Sequence, residues 1–301
     1  MPITHRPTTM TAVIVGSALV LGAGSALAQI PTCDDLPDYA TLTAALVAAV
    51  AEDNGGLAHD MWATIVDRDG IVCAVTFSGA DRGDQWPGSR VISAQKANTA
   101  NAFSLPPGAG GAVPGLALST ANLWTAVQPG GSTFINGTTP PGPPSRPFPG
   151  GSLFGLQFSN PVNTDVAYAD PAENFGLADD PMVNGRIGGV NVFGGGLALY
   201  DDGGTLLGGV GVSGDTSCAD HNVAWRVRDA LDLDFVPAGV GTPDDNIIFD
   251  VVDTGDGNAV SPSGFGHPEC DAGAVDANDA VIAACPPGDG ATGGCVAANG
   301  G

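Results

Sequence analysis

From Gln128 to about Arg186 the chain carries no hydrophobic period. Its repeated Pro and Gly, including Pro140, Pro141, Gly142, Pro143 and Pro144, favour extended or turn backbone over helix and sheet. That stretch limits what the rest can become. With 46 Gly and 24 Pro in 301 residues, the periodic segments on either side hold material for one compact domain with long loops rather than two domains. A short apolar piece inside the stretch, Leu153 to Phe158, is expected to dock on the body. Asn136, Gly137 and Thr138 fit a glycosylation sequon, which is read as chance.

On the N-terminal side, Leu42, Leu46 and Val50 recur every four residues, with Ala45 and Ala49 on the same side, so the spacing predicts an amphipathic helix over Leu36 to Ala51. Trp62 to Val66 and Ile71 to Phe77 are apolar, β-branched runs around Asp67, Arg68, Asp69 and Gly70, which predicts a hairpin. Val91, Ala94, Gln95, Asn98 and Ala102 give a second helix over Gly88 to Phe103, and a further one is expected over Ser119 to Val127. On the C-terminal side, Leu197 to Tyr200 and Thr205 to Val212 flank Asp201, Asp202, Gly203 and Gly204 as a second hairpin, followed by a helix over Ser217 to Leu231. One more strand is expected at Ile247 to Val252. The pattern is α+β: an antiparallel sheet of about five strands flanked by helices. The domain is placed at 29–235, with the Pro/Gly-rich insertion at about 128–186 and a Gly-, Asp- and Cys-rich extension at 236–301.

The first 28 residues read as a secretory leader. Arg6 supplies the basic start, Met10 to Leu21 is apolar but too short to span a bilayer, and Ala26, Leu27 and Ala28 form an A-x-A site, so cleavage is expected between Ala28 and Gln29. The alternative is an uncleaved anchor. A formal charge of -23, with nine basic residues against 32 acids, leaves no basic stripe to displace counterions from nucleic acid. Cys33, Cys73, Cys218, Cys270, Cys285 and Cys295 are an even set in a chain read as exported, which suits disulfides. Six thiols allow fifteen pairings; Cys285 and Cys295 are near enough to close a local loop. The expected location is periplasmic or secreted, without membrane insertion after cleavage.

Four motifs in order carry a family resemblance. Ala63 to Gly70 looks like a vvD-x-x-G turn, and Lys96, Ala97, Asn98, Thr99, Ala100 is similar to a K-A-x-T-A helix. Phe193 to Leu197 resembles a glycine-rich approach to a hairpin. Leu207 to Gly214 followed by Ala219 to Ala224 looks like a G-x-x-G-V-S-G and D-x-x-[VI]-A ending. Together these resemble the GlcG/HbpS family, also seen as a PduO C-terminal-like domain, from Asp60 to Leu231. Ala198 stands where the family usually has proline.

The resemblance implies a profilin-like α/β/α fold, a homo-oligomer, and haem b as cofactor and partner. It places haem between the K-A-x-T-A helix and neighbouring sheet or subunit surface. Carried over by position, Lys96, Thr99, Phe103, Gly195 and Gly196 would bind the cofactor, with Thr99 on the iron and Lys96 on a propionate. For Lys96 the alternative is a solvated helix lysine, and for Thr99 a small packing residue. Imidazole is the stronger iron ligand, so His221, three residues after Cys218, stands as a second candidate ligand with Cys218 beside it. The alternative for that pair is a disulfide-bonded Cys218 and a helix-surface histidine. His267 to Cys270 is a similar cluster.

The function implied is an exported haem-binding protein, sensing or sequestering, without a catalytic constellation. No P-loop, H-E-x-x-H, C-x-x-C or G-x-S-x-G motif is present. Two rivals stand: an enzyme or accessory protein of small hydroxy-acid or corrinoid metabolism, and a structural secreted module with a degenerate pocket.

Overall fold

The computed structural model describes residues 2, 30–109, 111, 113–128, 153–253, 259–288 and 295. The leader and its cleavage site, and the sequon at Asn136, lie outside them. Residues Met1–Ile30 and Pro31–Gly301 separate as two units, and among the described residues every helix and strand lies in the second.

Asp38 accepts the backbone N–H of Thr41 and starts α1 (Tyr39–Val50), whose Leu42, Leu46 and Ala49 are buried. The first hairpin is β1 (Trp62–Asp67) and β2 (Val72–Phe77). Its turn is held by Asp67, whose Oδ1 accepts from Asp69 N and Ile71 N. Helix α2 (Ser89–Ala102) follows. Two short helices, α3 (Leu156–Ser159) and α4 (Thr164–Ala167), lead to the second hairpin, β3 (Gly196–Tyr200) and β4 (Leu206–Ser213), and to α5 (Ser217–Ala230). The chain continues into a two-residue ladder, β5 (Val252–Asp253) and β6 (Ala259–Val260), and ends in α6 (Ala274–Ala284).

The main sheet is antiparallel in the order β2-β1-β4-β3. Strand alternation splits β1 between two cores: Ala63 and Ile65 join Leu42, Leu46, Val223 and Val227 under α1 and α5, while Trp62 and Val66 join Val91, Ala94 and Ala97 under α2. The result is the expected α+β fold with helices on both faces.

Three expectations change. The main sheet has four strands, because Ile247 to Phe249 does not join a ladder: Ile247 N–H donates to His221 Nε2 and Ile248 C=O accepts from His267 N–H. The helix expected over Ser119 to Val127 is two 3-10 turns, Ala121–Leu123 and Thr125–Val127. There Ser119 and Asn122 exchange side chain-to-backbone bonds, and these compete with α-helical pairing. The described part of the Pro/Gly-rich insertion is folded rather than loose, with Met182, Ile187 and Ala167 buried against Trp62 and Val91. Leu153 does dock, its N–H donating to Ala126 C=O.

The extension is woven into α5. Arg228 makes a fully buried ion pair with Asp245, Trp225 Nε1 donates to Cys285 C=O at 3.1 Å, and Asn278 bonds Asn222 at 2.8 Å. All six cysteines are paired, as Cys33–Cys73, Cys218–Cys270 and Cys285–Cys295. Among the described residues no helix is long and apolar enough to cross a membrane.

Candidate functional site

Helix α2 rests on the sheet through missing side chains. A Cβ on Gly196 would meet Lys96 C=O, one on Gly209 would meet Ala97 C=O, and one on Gly211 would meet Ser93 C=O. The glycines therefore let the helix backbone approach the sheet directly, and the seam between them is filled.

Lys96 lies inside that seam, 1 % exposed. Its Nζ sits 2.6 Å from Asp220 Oδ2 and donates to Val212 C=O at 3.1 Å. Asp220 Oδ1 accepts from Gly214 N and Asp215 N, so the carboxylate is held by both strand end and helix start. Burial pushes the Asp220 carboxyl up to about 6 and the Lys96 ammonium down, while their mutual attraction works against both shifts. Thr99 is fully buried: its hydroxyl donates to Gln95 C=O at 2.7 Å and accepts from Asn191 N at 3.0 Å. Gly195 has φ +109°, and a Cβ there would lie against Val212 C=O and Asp220.

These placements bear on Lys96 and Thr99, the expected cofactor contacts. The lysine charge is matched by Asp220 rather than left for a propionate, and the threonine hydroxyl is satisfied by the backbone. The space between α2 and the sheet is closed within the chain, since a Cβ on Gly195 or Gly196 would already meet neighbouring atoms. Phe103 is half-buried in a separate apolar cluster with Leu118, Leu123 and Val192.

The second pair, Cys218 and His221, is enclosed as well. Cys218 Sγ is bonded to Cys270, so it offers no thiolate while that cystine is intact. His221 is fully buried and accepts from Ile247 N, leaving Nδ1 without a hydrogen-bond partner. Burial drives its pKa down to about 4, so it is a neutral core residue at pH 7, closed to solvent.

An open space lies instead at the N-terminal end of α2. A cavity of about 420 Å³ is lined by Trp62, Arg82, Gly88, Val91, Tyr168 and Phe175, among others. Arg90 shapes it. Its Nε donates to Asp180 Oδ2 at 2.8 Å, Nη1 to Ala167 C=O at 2.8 Å, and the guanidinium stacks 3.7 Å from the centre of the Phe175 ring. Asp180 also accepts from Gly176 N and Met182 N, which ties the insertion to α2. Arg90 is thus neutralised and buried, whereas Arg82 on the rim is exposed and reaches Ala172 C=O. Tyr168 is 64 % exposed at the mouth.

None of these cavity residues was singled out from the sequence as a ligand contact. They come from segments more than a hundred residues apart, Trp62 to Phe175, so no local period joins them. The available signal was Arg90, an isolated charge among small and apolar residues.

The family model described as "Haem degrading protein HbpS-like" matches residues 35–228. No curated protein matches the chain. Among solved structures, the chain is similar to protein ORFY of Klebsiella pneumoniae, of family model DUF336, at 20 % identity and TM-score 0.38, covering 72 % of this chain and 96 % of that one. It is similar to PduOC in a haem complex at 21 % identity and TM-score 0.36, covering 64 % and 93 %. For a double mutant of HbpS from Streptomyces reticuli the values are 19 % and 0.35, covering 72 % and 99 %. Likenesses of this size carry no argument by themselves.

Proposed function

Because the chain belongs to the HbpS-like family, matched over residues 35–228, we propose that it is an exported haem-binding protein that takes haem at the cavity ahead of α2 rather than in the seam beneath it. The observation that carries the reading is an apolar cavity with an exposed cation at its rim, built on the family's scaffold. Trp62, Val91 and Phe175 supply apolar walls. Arg82 supplies the charge for a propionate, since Arg90 is already matched by Asp180. Tyr168 offers a phenol oxygen, a type of haem-iron ligand stronger than the threonine hydroxyl first expected.

At about 420 Å³ the cavity is near the small end of ligand sites, roughly 300–1,000 Å³. It would take one edge of a macrocycle and leave the rest beside Trp86 and Tyr168, both exposed. A second copy of the chain would close that side, in keeping with a homo-oligomer. The absence of C-x-x-C in the sequence favours non-covalent haem b. Three disulfides support an oxidising compartment, periplasmic or outside the cell, where sequestration or sensing of haem is the role proposed.

Haemin titration of the mature protein tests this. A saturable Soret shift is expected, with the band position altered in Tyr168→Phe and affinity reduced in Arg82→Ala. A titration without saturation would sink the proposal. Steady Soret loss under ascorbate would move the reading from binding to degradation.

A further inference from the structure

Away from that cavity, at the start of α5, Cys218 Sγ, Cys270 Sγ and a ring nitrogen of His267 all lie within 4.8 Å of one another. We propose that this trio is a reductant-gated site for a thiophilic cation of the zinc type: closed while Cys218 and Cys270 form a cystine, and opened when a dithiol reductant cleaves it.

The imidazole is already set for the task. His267 Nδ1 lies 2.7 Å from Pro268 C=O and donates to it, which leaves the lone pair of Nε2 on the side of the sulfurs. Nε2 meets Ser217 Oγ at 3.1 Å, and the same hydroxyl lies 3.5 Å from Cys270 Sγ. Ser217 therefore stands where a fourth ligand, or a water it holds, completes a tetrahedron. His267 is only 2 % exposed and Cys218 3 %, so two donors are shielded from competing solvent. Cys270 is half-buried and gives access. Its sulfur accepts the backbone N–H of Cys218 at 3.1 Å, at the N-terminal end of a fourteen-residue helix, and that position stabilises a thiolate.

Thiol–disulfide exchange opens the site. A thiolate of the reductant attacks the accessible Cys270 Sγ, the Cys218–Cys270 bond breaks, and Cys218 leaves as a thiolate. The second thiol of the reductant then displaces Cys270, and the reductant departs as its own disulfide. Two electrons and two protons have reached the pair. The cation binds both sulfurs with loss of those two protons, and His267 Nε2 adds a neutral donor. With Zn–S bonds of about 2.3 Å the sulfurs need roughly 3.8 Å between them, a separation only the opened pair can reach.

The second cluster of this kind, Cys33, Cys73 and Asp67, is a poorer site. Asp67 Oδ1 is occupied by two backbone N–H groups of the β1–β2 turn, and no imidazole is present in the trio.

Cobalt(II) is the probe, added under argon to the mature full-length protein before and after phosphine reduction. The reduced chain is expected to bind one equivalent with intense tetrahedral d–d bands and a thiolate charge-transfer band, and the oxidised chain none. The Cys218→Ala/Cys270→Ala variant should lose the bands, and Cys33→Ala/Cys73→Ala should keep them. Should the former fail to fold, His267→Gln, which retains the cystine, is read instead, with at least a tenfold weaker affinity expected in the reduced state. The proposal is overturned by bands in the oxidised protein, by no tetrahedral bands on reduction, or by bands that follow Cys33 and Cys73.

Discussion

Helix α2 meets two very different environments. Along its length, glycines of β3 and β4 bring backbone against backbone, and Lys96 is matched to Asp220 in a filled seam. Ahead of its first turn, the same helix borders a cavity of about 420 Å³ with aromatic walls and an exposed arginine. The seam is built from the motifs that carry the family resemblance. The cavity depends on Tyr168 and Phe175, which belong to the Pro/Gly-rich insertion. A specific sequence motif can therefore mark how a scaffold closes, while the wall of an open cavity comes from the part with the least pattern.

Breaking the seam should have the largest effect. Lys96→Ala leaves Asp220 buried with an uncompensated charge, and a loss of about 3–5 kcal/mol is expected in urea unfolding. A loss below about 1 kcal/mol would mean that the ion pair does not close the seam.

Acidification should reach the α5 side of the sheet. Folding lowers the His221 pKa from 6.5 to about 4 through burial, close to Asp245, Arg228 and His267. The unfolded chain therefore takes up this proton first. The contribution of His221 is complete above about pH 6.5 and shrinks as pH falls toward 4, by on the order of 3 kcal/mol. Urea melts across that window should show a steeper pH slope in wild type than in His221→Asn; equal slopes would refute the assignment.

Gly211→Ala sharpens the contrast at smaller scale. The added methyl meets Ser93 C=O, and overpacking of this kind costs about 1–3 kcal/mol. The smallest effect on stability is expected at the cavity rim. Arg82→Ala should leave the melting midpoint nearly unchanged and weaken haemin binding about tenfold, or 1.4 kcal/mol.

Much of the scaffold was legible. Period-four spacing located α1, and alternation around Asp67 to Gly70 and Asp201 to Gly204 located both hairpins. Helix α6 was missed, although Ala274, Asn278, Val281 and Cys285 recur at helical spacing and are all buried. The run at Ile247 was misread because β-branched composition does not reveal that an imidazole takes the backbone bond. Lys96 and Thr99 were found as special positions, but their partners, Asp220 and Asn191, are distant in sequence, so spacing on α2 could not tell a ligand contact from a packing contact. Arg90 and Asp180 lie ninety residues apart, and the cavity they support was correspondingly invisible.

One pair of variants tests the central claim most directly. Gly88 borders the cavity, has φ -64°, and a Cβ there meets nothing within 4 Å, so Gly88→Leu fills the space without straining the backbone. Haemin titrated against Gly88→Leu and Thr99→Ala should bind at least tenfold more weakly to the first and as in wild type to folded protein of the second. Binding lost with Thr99→Ala and untouched by Gly88→Leu would contradict the account and return haem to the seam.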